Sequence, residues 1–126
     1  MRFWKIVFAL AASFNFLVGL PMLLAPAAML AGLGQPVPSD LLMTRLASAL
    51  IAVFGVGYAM IARDPVANRP ILWLGVLGKA PIPLLVWLSG GAAALTSSSF
   101  KLSLVDLVFA GLFLAFLLTH PRRAAA

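Results

Sequence analysis

Four polar side chains interrupt otherwise apolar stretches of this chain: Asn15, Arg45, Lys79 and Asp106. A charged side chain at the centre of a bilayer-spanning helix costs roughly 2.5–3.5 kcal/mol on insertion scales. Such residues therefore turn toward the bundle interior and find partners there. Lys79 and Asp106 can form an ion pair, Asn15 can bridge two helices, and Arg45 would leave the group with one surplus positive charge. A cluster of this composition is a candidate ligand-binding site that would draw an anion, a lipid phosphate or a partner's carboxylate. Simpler roles stand beside it: Arg45 reaching outward to headgroups, and Asn15 making a plain interhelical hydrogen bond. Pro81 and Pro83 lie just past Lys79. Each withdraws a backbone donor and frees a carbonyl about one turn earlier, near Leu77 and Lys79. A broken helix beside a buried lysine is the arrangement that transporter sites use; the plainer alternative is a kink satisfied by Lys79 itself and a water.

Other chemistries lack their residues. There is no cysteine, and His120 is the one histidine. Thiol chemistry, a bis-histidine haem and a histidine-rich metal site are excluded within one chain. The three carboxylates, Asp40, Asp64 and Asp106, fall at different depths of any bundle and form no catalytic set. No phosphate loop or nucleophile elbow is present. The expectation is a protein that is not an enzyme, with no catalytic residue, no metal and no cofactor.

The elements that must position the four residues follow from composition. Of 126 residues, 63% are hydrophobic and 10% charged, with a mean hydropathy of +1.11, too few charges to coat a soluble domain. The net charge of +6 is dispersed between apolar runs, so no nucleic acid is expected as partner. Crossing a bilayer takes roughly 20 apolar residues. Four segments meet that length, about 4–25, 41–62, 70–88 and 102–119, and in lipid each must be a helix. The fold class expected is therefore all-α: a single transmembrane domain forming an integral membrane four-helix bundle. Ser39 or Asp40 can cap the second helix and the run Thr96–Ser99 the fourth. Pro70 suits the first turn of the third, and Gly90-Gly91 its end. The stretch Ala27–Leu33 reads as a surface loop in preference to a short interfacial helix. The tryptophans Trp4, Trp73 and Trp87 suit interfacial anchors. Ala25-Pro26-Ala27 imitates a signal-cleavage site, but the apolar run from Ile6 to Ala25 exceeds a signal core; a permanent first helix is expected.

The stretch from Thr44-Arg45-Leu46 to Arg63-Asp64-Pro65 resembles small bacterial membrane proteins of the DoxX-like type, in which an arginine starts a glycine-rich helix that ends in a short basic loop. The resemblance covers about half of the chain. It implies a four-helix bundle in a bacterial inner membrane and transfers no functional residue. The function expected first is that of an accessory or assembly subunit. It would act through helix contacts within a lipid bilayer, as a homo-oligomer or in a larger membrane complex. The alternative is a small transporter, channel or lipid- or anion-binding protein built on Lys79, Asp106 and Arg45.

Orientation follows from the basic residues flanking the spans. Arg2, Lys5, Arg63, Arg69, Arg122 and Arg123 fall at one end, against Lys101 alone at the other, so both termini are expected in the cytoplasm. Single cysteines placed at Ala67 and Ser98 in this cysteine-free chain should then react with an impermeant thiol reagent from opposite sides. Labelling of Ala67→Cys from outside intact cells would overturn that orientation.

Overall fold

The computed structural model describes residues 1–121, all-helical with no strand among them. The helices are α1 (Arg2–Leu24), α2 (Pro26–Gly32), α3 (Leu42–Arg63), α4 (Arg69–Lys79), α5 (Ile82–Ala94) and α6 (Ser98–Thr119). Taken together, α4 and α5 make one broken span, so four segments are long and apolar enough to cross a membrane: Arg2–Leu24, Leu42–Arg63, Arg69–Ala94 and Ser98–Thr119. Large apolar side chains such as Leu17, Met43, Leu77 and Leu118 stand exposed around the bundle, a surface that suits acyl chains.

Local chemistry sets the ends. Asp40 accepts from the Leu42 amide at 2.9 Å, and Ser97 accepts from the Phe100 amide at 3.1 Å. Asp64 turns its carboxylate onto the amides of Val66 and Ala67, and Pro70 occupies the first turn of α4. The regular helix of the third span breaks at Gly91 (φ 58°, ψ −145°), in the Gly90-Gly91 pair expected to end it, and a short turn beyond the kink reaches Ala94. One boundary differs from the sequence reading. The stretch read as a surface loop after α1 forms α2. Pro26 suits its first turn, and the Gln35 amide closes its end on the Leu30 carbonyl at 2.9 Å. Gly34, at φ 69°, supplies the left-handed residue that this closure needs.

The bundle is built from two halves. In one, α1 lies along α3, with Gly19 against Ser48 and Ala52, Asn15 bonded to Ile51 and Gly55 against the Phe16 ring. A Cβ at Gly19 would sit 2.9 Å from the Ala52 backbone nitrogen and 3.1 Å from the Ser48 carbonyl oxygen. The other half is α6 running along both α4 and α5. The halves join at one end through an aromatic and aliphatic core of Phe8, Tyr58, Ile61, Leu72, Phe113, Phe116 and Leu117. Trp4, expected as an interfacial anchor, packs edge-on to Phe116 at 5.3 Å and to His120 at 5.9 Å. Arg69 reaches the carbonyls that α6 leaves without partners, binding the Leu117 oxygen at 3.0 Å and the His120 oxygen.

These contacts put Met1, the loop after α3 and His120 at one end of the bundle. Arg2, Lys5 and Arg63 line a single groove there, with Arg69 beside the end of α6 and Lys101 at the opposite end. Arg122 and Arg123, part of the same basic set, lie outside the described residues. At the Lys101 end α5 keeps to α6 and does not pack on α1 or α3 to a similar extent, so the two halves separate.

The α1–α3 seam generates a test. Gly19→Leu forces bulk against backbone and should destabilise the bundle by about 1–3 kcal/mol or more. Leu17→Ala, at a side chain 72% exposed, should cost much less. Thermal unfolding in mild detergent measures both, and equal effects would contradict the seam.

Candidate functional site

Lys79 ends α4, where the prolines interrupt the helix. The backbone ladder closes with the Ala80 amide on the Val76 carbonyl and reopens with the Leu85 amide on the Pro81 carbonyl. Pro81 and Pro83 have no N–H to offer the carbonyls of Leu77 and Lys79, and no backbone donor reaches Gly78 across the break among the described residues.

The break lies at mid-length of the span, beside the middle of α1 and α6. There the Lys79 ammonium donates to Asp106 Oδ1 at 2.6 Å and to Asn15 Oδ1 at 2.9 Å. Asn15 in turn donates through Nδ2 to the Ile51 carbonyl of α3 at 3.0 Å. One ammonium thus ties α4 to α1 and α6, and Asn15 extends the link to α3. Lys79 is 4% exposed and Asn15 5%. Three rings complete the enclosure, with Tyr58, Phe14 and Phe109 centroids at 5.2, 5.4 and 5.7 Å from Nζ. Ring faces attract a desolvated cation by up to about 2 kcal/mol each. Carboxylate, amide oxygen and rings together replace the water that the ammonium gives up.

A cavity of about 450 Å³ opens against this cluster. Its walls are apolar, from Val18 of α1, Leu50, Ile51 and Phe54 of α3, Ile82 of α5 and Leu102 of α6. Its polar end is Asn15, Tyr58, Lys79 and Asp106, with Gly78 of the broken backbone beside them. The volume lies within the roughly 300–1,000 Å³ of small-molecule sites. At its rim, Ala47, Leu50 and Gly78 are exposed on the outer face of the bundle, so the cavity communicates with whatever surrounds α3 and the α4–α5 break.

Of the four residues singled out from sequence, the structure brings together Asn15, Lys79 and Asp106. Arg45 stands apart. It is exposed in the first turns of α3, with no side-chain hydrogen bond or ion pair among the described residues, because the halves have separated there and no helix covers it. Its neighbour Ser48 is buried, but the arginine itself points away. Without it the cluster is one ammonium and one carboxylate, and the expected surplus positive charge is gone.

Sequence reasoning missed Tyr58, Phe14 and Phe109. Tyr58 carried a usable signal, being the single tyrosine of the chain and set well inside an apolar helix where a hydroxyl needs a reason. Phe14 and Phe109 carried none, since phenylalanine abounds here. No group of three or more His, Asp or Glu side chains that could hold a metal ion occurs among the described residues. Comparison with protein families, with curated proteins and with solved structures finds no match for this chain.

The geometry separates two residues that looked alike in sequence. Asn15→Leu removes an oxygen from Lys79 and a donor from the Ile51 carbonyl, and should destabilise by about 1–3 kcal/mol. Arg45→Gln should stay within about 0.5 kcal/mol of the parent, as an exposed substitution without partners. Unfolding temperatures of the two variants check this; a larger loss for Arg45→Gln would show that it belongs to the cluster.

Proposed function

We propose that the chain is a multi-pass protein of the bacterial inner membrane that binds a small membrane-dissolved molecule in the cavity at Lys79. Both termini and the Arg63–Arg69 loop lie on the cytoplasmic side in this reading, which rests on the basic residues gathered at one end of the bundle. The observation that carries the binding role is the apolar chamber with a polar end formed by Asn15, Tyr58, Lys79 and Asp106. The accessory-subunit role first expected from sequence requires only helix faces, and nothing in it calls for a chamber beside a broken helix. Irregular backbone at membrane depth is tolerated where it lines a cavity, and Gly78 lines this one. With Arg45 outside, the cluster has no excess charge to select an anion. Delivery or transport of the bound molecule, alone or within a larger assembly, is the activity such a site supports.

The test uses Gly78, which lines the cavity and has nothing within 4 Å of an added Cβ. Gly78→Phe adds bulk at the rim of the chamber, where a Cβ meets open space. Protein purified in mild detergent should carry an adduct of discrete mass by native mass spectrometry. The variant should lose the adduct while keeping the parent's unfolding temperature. An adduct-free parent, or an adduct retained in full by the variant, would contradict the proposal.

A further inference from the structure

The polar atoms left over in the cavity narrow the ligand further. An ammonium has three N–H donors, and Lys79 spends two, on Asp106 and Asn15. Asp106 receives Lys79 on Oδ1 only, leaving Oδ2 as an acceptor without a partner among the described residues. Tyr58 is 1% exposed and makes no side-chain hydrogen bond there, yet no fully sealed polar side-chain atom lacks a partner. The little of Tyr58 that stays open therefore includes its hydroxyl, in the cavity that it lines.

The site thus presents both an open acceptor, the Asp106 carboxylate, and an open donor, the Tyr58 phenol, while the remaining ammonium hydrogen faces the aromatic rings. Its formal charge is balanced before any ligand arrives. An anionic head would place a second negative charge beside Asp106, and a cationic head a second positive one beside Lys79. Either would be an unmatched charge in an apolar chamber, which is strongly disfavoured. A plain hydrocarbon would leave the open polar atoms without partners. The remaining class is neutral, with one head that donates and accepts at the same point. Beyond the head, the walls from Val18, Leu50, Ile82 and Leu102 are apolar, and the rim at Ala47 and Gly78 opens on the flank of the bundle instead of its end.

Resting on the cavity reading above, we infer that the ligand is a neutral single-chain amphiphile with a hydroxyl head, an aliphatic alcohol or a phenol, entering sideways from the bilayer between α3 and the α4–α5 break. The hydroxyl donates a hydrogen bond to Asp106 Oδ2 and accepts one from the Tyr58 hydroxyl, while the chain lies along the apolar walls toward the rim. No covalent step is involved.

The test uses the full chain in phosphatidylcholine nanodiscs and a decanol carrying a diazirine in its chain. Photolabelled peptides are mapped by mass spectrometry, with decanol, decanoate, decyltrimethylammonium and decane as competitors. Labelling should fall on the cavity-lining peptides, disappear in Gly78→Phe, and be competed by decanol at about tenfold lower concentration than by the other three, the ratio that about 1.4 kcal/mol of head-group recognition gives. Tyr58→Phe keeps the ring and should weaken decanol competition about fivefold, the ratio corresponding to one neutral hydrogen bond, with the unfolding temperature unchanged. Cavity labelling that decanoate, decyltrimethylammonium or decane competes as well as decanol does would overturn the hydroxyl assignment and leave the cavity reading standing. So would undiminished competition in Tyr58→Phe. Absence of cavity labelling, or labelling unaffected by Gly78→Phe, would overturn both.

Discussion

An ammonium enclosed at mid-length of an apolar bundle must be matched where it sits, and the arrangement around Lys79 follows from that requirement. Taking an ion out of water costs several kcal/mol, and the attraction of a counter-ion offsets this only when geometry and further hydrogen bonds are good. Here the counter-ion is on α6, the second oxygen on α1 and the rings on α1, α3 and α6. Every long segment must be in place for Lys79 to be satisfied, so the lysine specifies how the two halves meet. The aromatic core on one side and the Arg69 cap on the end of α6 hold the same join from below.

The same requirement creates the cavity. The prolines that break the third span let Lys79 end a helix and point inward, and they set α5 off along α6, away from α1 and α3. The space left between the halves has the ion pair at its polar end and opens sideways at Ala47 and Gly78. A bundle designed only for tight packing would close that gap with an unbroken helix. The polar floor and apolar walls give the gap the character of a binding site, and the balanced charge of Lys79 and Asp106 gives it a preference for neutral heads.

Much of this was legible in the sequence, for identifiable reasons. Four apolar runs of spanning length can only be helices in lipid; Ser97 caps α6, and Asp40 holds the Leu42 amide just ahead of α3. Small residues one turn from Asn15, Lys79 and Asp106 mark faces that approach other helices in a membrane, and these three residues come together. The same rule failed for Arg45, because small neighbours locate a helix face but not the level at which the bundle separates. That level depends on the direction α5 takes after the break, which the presence of Pro81 and Pro83 does not by itself give. The short α2 was hidden because its seven residues carry too little periodicity to outweigh the flanking prolines and glycines. The cage around Lys79 was hidden because phenylalanines that surround a cation and phenylalanines that face lipid look alike in sequence.

The most direct measurement of the central claim is a double-mutant cycle on Lys79→Met and Asp106→Asn, read as unfolding free energy in mild detergent. Each single change should destabilise by about 3–5 kcal/mol, since it strands the other charge in the interior. The double variant should regain most of that loss, short of the share that Asn15 forfeits with its partner gone. Additive losses with no recovery would contradict the account, showing that the pair does not organise the bundle.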